Sequence, residues 1–159
     1  MEILSYSAAL GFREKLELVR QIALQLACIH SAGYLHLNLL PENVGVLPSE
    51  GRVALRCPSA EEENKAAEKR AFTAPEKSYG RVENRTDIYS LGALMHLLLF
   101  GDVPDGEAVA AGLPELSEEC SAALKEVLGK CLARRPSGRY SCCEELAEGL
   151  EGLMLMCSA

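Results

Sequence analysis

Asp87-Ile88-Tyr89-Ser90-Leu91-Gly92-Ala93-Leu94-Met95-His96-Leu97-Leu98-Leu99-Phe100, closed by Gly101, is the stretch on which the fold turns. Its apolar residues run almost all the way round a helix instead of keeping to one stripe. A helix apolar on all sides belongs inside a protein or in a bilayer. Crossing a bilayer takes about 20 predominantly apolar residues; this run is shorter and opens with a carboxylate. The stretch therefore predicts a central core helix, with Thr86 or Asp87 as N-cap and Gly101 past its end. The remaining segments read as layers laid against it.

Upstream, residues 1–11 show no clear period. From Phe12 to His30 the apolar positions Leu16, Val19, Ala23, Leu26, Ala27 and His30 step by three and four. Leu18, Ile22 and Ile29 widen that face, so a long helix with a broad buried side is expected, stopped at Gly33. Tyr34 to Asn43 carries a proline and two asparagines, which favour an ordered loop. Val44-Gly45-Val46-Leu47 and Arg52-Val53-Ala54-Leu55 flank Pro48-Ser49-Glu50-Gly51 and read as a short hairpin. Residues 57–71 are charge-rich and read as a solvated surface loop or a marginal helix. Downstream of the central stretch, residues 102–114 are turn-rich, with one helical turn expected near Glu107 to Ala111. Ser117 opens a helix to about Leu132. Ser141-Cys142-Cys143-Glu144 fits a capping box for a last helix carrying Leu146, Leu150 and Leu153.

The chain has 159 residues, of which 48% are hydrophobic and 25% charged, as expected of one soluble globular domain. Nothing at its start has the form of a signal peptide, and no run is long enough to span a membrane. Seven cysteines form an odd set with no C-x-x-C pair. The expectation is therefore reduced thiols in a cytoplasm, with neither a zinc site nor a disulfide framework. A net charge of −7 argues against nucleic acid or an anionic membrane as partner and suits a basic peptide. H-E-x-x-H and G-x-S-x-G are absent, so His36 and His96 read as packed histidines. Cys142 and Cys143 sit at a helix start, where a thiol pKa can fall, but read as idle thiols. The hydroxyls of Thr73 and Tyr79 are weaker candidates, as acceptors of phosphate from another enzyme.

Four segments in order resemble the C-terminal lobe of eukaryotic-type protein kinases. Ile29-His30-Ser31-Ala32-Gly33-Tyr34-Leu35-His36, followed by Leu39, Pro41, Glu42 and Asn43, resembles the approach to the catalytic loop and the loop itself. Ala71-Phe72-Thr73-Ala74-Pro75-Glu76 resembles the Ala-Pro-Glu end of an activation segment. Thr86 to Gly92 resembles the start of the family's central helix, and Cys131-Leu132 to Pro136 with Arg139 resembles its late arginine motif. The resemblance implies structural roles for His36, Glu76, Asp87 and Arg139. Glu76 and Arg139 would form a buried ion pair, and the Asp87 carboxylate would take backbone N–H groups of the loop.

The same resemblance exposes departures. Where the family reads His-Arg-Asp-x-Lys-x-x-Asn, this chain has Leu37 at the arginine, Asn38 at the aspartate and Leu40 at the lysine position, and keeps Asn43. An amide cannot accept a proton near neutral pH, and a leucine cannot neutralise phosphate charge. The Asp-Phe-Gly position is Cys57-Pro58-Ser59, and Gly45 stands at the position under the adenine. No G-x-G-x-x-G or Walker-type loop occurs, and Met1-Glu2-Ile3-Leu4 resembles by position the hinge between kinase lobes.

The sequence thus predicts a mainly α domain with one small β-hairpin, a kinase C-lobe without the N-lobe. Its parts are a lead-in over 1–11, a long helix over 12–33, the altered loop and hairpin over 34–59 and an activation-segment-like stretch over 60–76. The central helix follows over 86–101 and the terminal helices over 115–156. The functional expectation is a pseudokinase scaffold that is not an enzyme, with no cofactor and no metal. Protein or peptide is the expected partner, docked weakly on Glu61, Glu62, Glu63, Asp102, Asp105 and Glu107. An N-lobe-like partner is a second expectation, covering residues 1–6 and Gly45. The alternative is part of a Ser/Thr-type protein kinase whose N-lobe is supplied in trans or lost, with residual ATP binding.

Overall fold

The computed structural model describes residues 1–57, 70–104 and 115–157. In chain order it contains α1 (Ile3–Ser7), α2 (Phe12–Ser31), β1 (Val44–Leu47), β2 (Arg52–Leu55), α3 (Asn84–Phe100), α4 (Glu118–Leu132) and α5 (Cys143–Met156). Short 3-10 turns lie at Pro41–Asn43, Arg70–Phe72, Pro75–Tyr79 and Pro136–Gly138. This is the mainly helical architecture with one antiparallel hairpin that the periodicities predict. α3 is buried without interruption from Thr86 to His96, which is why its sequence carries no polar stripe. α2 lies against α3 and α5, and α4 packs on α3 and α5. At the α3–α4 crossing a Cβ on Gly92 would come within 2.5 Å of Cys131 Cβ, so the small residue sets how closely the two helices approach.

Helix ends depart from the sequence reading in two places. α3 begins at Asn84 behind an extended Glu83, and Thr86 caps from inside the first turn, its hydroxyl accepting from Glu83 N at 3.1 Å. Neither Thr86 nor Asp87 is the N-cap. At α5 the capping partner is Glu145, whose carboxylate accepts from Ser141 N at 3.0 Å and also meets the Ser141 hydroxyl. The box is displaced one residue from Glu144 because the helix starts at Cys143. Ser117 does cap α4, accepting from Cys120 N at 3.2 Å. The stretch near Glu107 to Ala111 lies outside the described residues.

The hairpin is finished by side chains and by the lead-in. β1 and β2 pair from Val44–Leu55 to Leu47–Arg52. On the free side of β1, Val46 N donates to Met1 O at 2.9 Å and Glu2 bridges to Gly45, so the first residues act as a third strand. The five-residue α1 follows, burying Ile3 and Ser7, and is too short for a periodic signal. On the free side of β2, Gln21 and Gln25 of α2 replace a strand. Gln21 Oε1 accepts from Val53 N at 2.9 Å and Gln25 Nε2 donates to Val53 O at 2.6 Å. Gln25 Oε1 also accepts from Leu55 N at 3.3 Å. One helical i,i+4 step, about 6 Å, nearly matches two strand residues, about 6.7 Å, so one amide per turn can serve an unpaired edge.

One expectation about thiols is corrected. Cys120 and Cys157 are joined as a disulfide across 37 residues, while Cys28, Cys57, Cys131, Cys142 and Cys143 are free. Spacing gave no sign of it, because the pairing follows from the antiparallel course of α4 and α5. Among the described residues no helix is long and apolar enough to cross a membrane, and no group of His, Cys, Asp or Glu could hold a metal ion.

Candidate functional site: the loop on the central helix

Asp87 organises the loop from His36 to Asn43. Its side chain is fully buried near the start of α3, where the helix dipole favours a carboxylate. Oδ1 accepts from Leu37 N at 2.7 Å, and Oδ2 accepts from His36 N at 2.9 Å and lies 2.8 Å from His30 Nε2. Leu37 has φ +58°, left-handed for a side chain that disfavours it, and is the one non-glycine with positive φ among the described residues. Its carbonyl accepts from Lys77 Nζ at 2.6 Å. A carboxylate on its N–H and an ammonium on its C=O hold the peptide in a conformation that the leucine alone would leave.

Both nitrogens of His36 are engaged. Nδ1 accepts from Asn38 N at 3.3 Å, which leaves Nε2–H to donate to Arg56 O at 3.0 Å. Asn43 is committed too, its Nδ2 donating to Asn38 O at 2.8 Å and its Oδ1 accepting from Arg56 Nη2 at 3.1 Å. The guanidinium therefore rests on the amide oxygen of the one residue that keeps its kinase identity in this part of the loop. Asn38 and Leu40 are buried at the loop's centre. Chemically, the Asn38 amide can orient a hydroxyl by accepting its hydrogen bond but cannot take its proton. At Gly45 an added Cβ would find nothing closer than Ala54 O at 3.8 Å, so no close approach demands glycine there. Cys57 is exposed and unpaired; Pro58 and Ser59 lie outside the described residues.

The second anchor is the pair of Glu76 and Arg139. Nη1 and Nη2 of Arg139 donate to Oε1 and Oε2 of Glu76 at 2.6 and 2.9 Å, a parallel fork with both residues buried. The remaining guanidinium donors go to the carbonyls of Ala133, Arg85 and Arg134. All five N–H groups are thus used. The Thr86 hydroxyl donates to Glu76 Oε1 at 3.0 Å. Burial pushes the Glu76 carboxyl up, but the Arg139 hydrogen bonds and charge, with Thr86, outweigh it and hold the group below the usual carboxylate range. Ser90 completes the link, its hydroxyl donating to Phe72 O at 2.6 Å and tying the turn before Pro75 to α3.

Other candidates fall elsewhere. Cys143 Sγ lies 3.8 Å from His30 Nδ1, giving a thiol–imidazole–carboxylate chain with Asp87. The thiol is fully buried, and burial raises its pKa above the ordinary thiol range, so it cannot serve as a nucleophile. His96 is buried, with Nδ1 2.8 Å from Asp102 O and its ring against Phe100. Asp102 is exposed beside it; Glu61, Glu62, Glu63, Asp105 and Glu107 lie outside the described residues. Sequence reasoning missed that Glu2 and Glu42, quoted there only within the hinge-like and loop-like segments, line an open cleft of about 820 Å³ with Pro41, Arg70, Phe72 and Val103. It missed Arg56 and Lys77 as well, since no motif spacing links either to the loop.

No protein-family model matches the chain. It is 29% identical over 167 residues to the probable serine/threonine-protein kinase PknB of Lactococcus lactis, covering 91% of this chain and 26% of that protein. It is 33% identical over 151 residues to the serine/threonine-protein kinase PknI of Mycobacterium tuberculosis, covering 91% and 25%. The crystal structure of the PknI kinase domain superposes with a TM-score of 0.74 at 25% identity, covering 96% of this chain and 62% of that one. The chain spans about a quarter of the length of the curated relatives it matches. Its fold is that of a protein kinase C-lobe. These relatives overturn the expectation that the chain is not an enzyme: proteins matching almost its whole length are named protein kinases, and that kinship points to an enzyme. The altered positions Leu37, Asn38, Leu40 and Cys57-Pro58-Ser59 nevertheless lie inside this chain, of which 91% aligns with the Lactococcus lactis kinase.

Proposed function

We propose, from the premise that this chain is a homologue of the C-terminal lobe of serine/threonine-protein kinases, that it is the protein-binding lobe of such a kinase and works with an N-lobe that holds ATP. The observation that carries this reading is the Asp87 carboxylate gripping the N–H groups of His36 and Leu37, which keeps the loop in a fixed, strained shape. Phosphoryl transfer passes through a loose transition state in which positioning and electrostatics do most of the work. In that setting Asn38 orients the acceptor hydroxyl through its amide oxygen, and the proton leaves to solvent. Lys77 supplies a positive charge beside the loop.

The N-lobe docks over the end of the hairpin, where Met1 is 65% exposed beside β1. A protein substrate with basic residues lies along the cleft of Glu2 and Glu42. ATP chemistry puts the lobe in the cytoplasm, where its five free thiols are at home. The test mixes this chain with the N-lobe of the PknI kinase domain, labelled ATP, magnesium and a basic protein. Slow transfer is expected, and Asn38→Asp, by adding a proton acceptor, should raise it on the order of 10²-fold. A rate no greater than that of the N-lobe alone, unchanged by Asn38→Asp, would refute the reading.

A further inference from the structure

Two of the seven cysteines are bonded, and their placement is not that of an internal brace. Cys120 stands in the first turn of α4, its N–H taken by the Ser117 hydroxyl. Cys157 closes α5, its N–H bonded to Leu153 O at 3.0 Å. The antiparallel α4–α5 pair brings these ends together with Cα atoms 5.7 Å apart, a span that a disulfide bridges without moving the backbone. Neither exposure nor nearness in sequence selects the pair. Cys28 and Cys57 are exposed yet free, and Cys142 and Cys143 are neighbours yet free.

Packing that holds α4 to the rest does not need the bond. Leu124, Leu128, Leu146, Leu150 and Leu153 are buried at 3% exposure or less. Within the folded chain the bond ties the first turn of α4 to the last turn of α5. There Leu155 is 73% and Met156 47% exposed, while Leu153 and Met154 hold the inner face of the turn. Ends of this kind lie at the low end of local stability. Cys120 is buried and Cys157 half-buried, so an exchange partner reaches the Cys157 sulfur first.

We propose that Cys120 and Cys157 form a reversible redox staple that locks or frees the closing turn of the domain, exchanging with a small thiol–disulfide couple of the glutathione class. In closing, the Cys157 thiolate attacks oxidised glutathione, forms a mixed disulfide and expels one glutathione thiolate. The Cys120 thiolate then attacks the Cys157 sulfur and expels the second. Two protein thiols and one glutathione disulfide become one protein disulfide and two reduced glutathiones, so atoms and electrons balance. Opening is the reverse, beginning with glutathione thiolate attack on Cys157.

The test equilibrates the full chain in oxidised or reduced glutathione, quenches it in acid, alkylates it in denaturant and maps peptides without reduction, alongside amide hydrogen exchange. Oxidised protein should give one cross-linked species joining Cys120 to Cys157, with the other five thiols alkylated. On reduction, exchange should rise about tenfold or more at residues 118–121 and 153–157 and stay constant in α2 and α3. Cys157→Ser should show the reduced pattern in both buffers, and Cys142→Ser should behave as the parent chain. A cross-link through any other cysteine, equal exchange in both buffers, or a loss of protection throughout the domain would each overturn the proposal.

Discussion

The Glu76–Arg139 fork and the His36–Asn43 loop sit on the same helix but are built on opposite plans. In the fork every polar atom meets one of complementary charge or a carbonyl, and all five guanidinium donors are used. In the loop the positions that the kinase pattern gives to reactive charges hold Leu37, Asn38 and Leu40. Its shape comes from outside, through Asp87, Lys77 and Arg56. A loop can therefore keep its backbone course while its own side chains change, provided the groups beneath it stay. Leu37 makes the point most sharply. Nothing in a leucine favours φ +58°, so the strain is imposed by its supports.

Breaking the fork should produce the largest effect. Arg139→Ala strands a buried carboxylate and should cost about 3–5 kcal/mol in chemical denaturation, and Asp87→Ala should fall in the same range. Asn38→Ala, which removes no charged contact, should cost less than about 1.5 kcal/mol. Arg139→Lys keeps the charge but loses the fork and should lie between. Equal midpoints across these variants would erase the contrast between fork and loop.

Next is acidity. The folded-state pKa of Glu76 is depressed, so its contribution is fully present above the ordinary carboxylate pKa and is lost as pH falls through the folded value. Stability should therefore drop as pH is lowered from the ordinary carboxylate range, and Glu76→Gln should flatten that part of the profile. A parallel profile for Glu76→Gln would show that the fork is not its source.

Smallest is the bond between loop and hairpin. A double-mutant cycle of Arg56→Met and Asn43→Ala should give a coupling of about 1–2 kcal/mol, the worth of one charge-assisted hydrogen bond. Zero coupling would mean that the loop keeps its shape without the guanidinium.

The helices were legible because burial writes itself into spacing. The all-round apolar run of α3 and the three-and-four steps of α2 mark one buried throughout and one buried on a broad face. Ser117 announced a helix start by its chemistry, whereas α1 was too short to register. The fork and the Asp87 contacts were legible through motif resemblance alone, since Glu76 and Arg139 lie 63 residues apart with no pattern between them. Arg56 and Lys77 were not legible at all, since each reaches the loop from an element whose own sequence has no reason to mention it. Glu2 and Glu42 were visible only as members of the hinge-like and loop-like segments, with no sign that they line one cleft.

By itself, then, the amino-acid order determined the fold class, the buried faces and the exchange of charges for amides and aliphatics in the loop, because these depend on local composition and period. The tertiary structure alone decided which groups replaced the missing ones. It set a guanidinium on Asn43, an ammonium on the Leu37 carbonyl, two glutamines along the edge of β2, and Cys120 against Cys157. Those contacts join residues far apart in the chain, and their geometry exists only once α2, α3, α4 and α5 have packed.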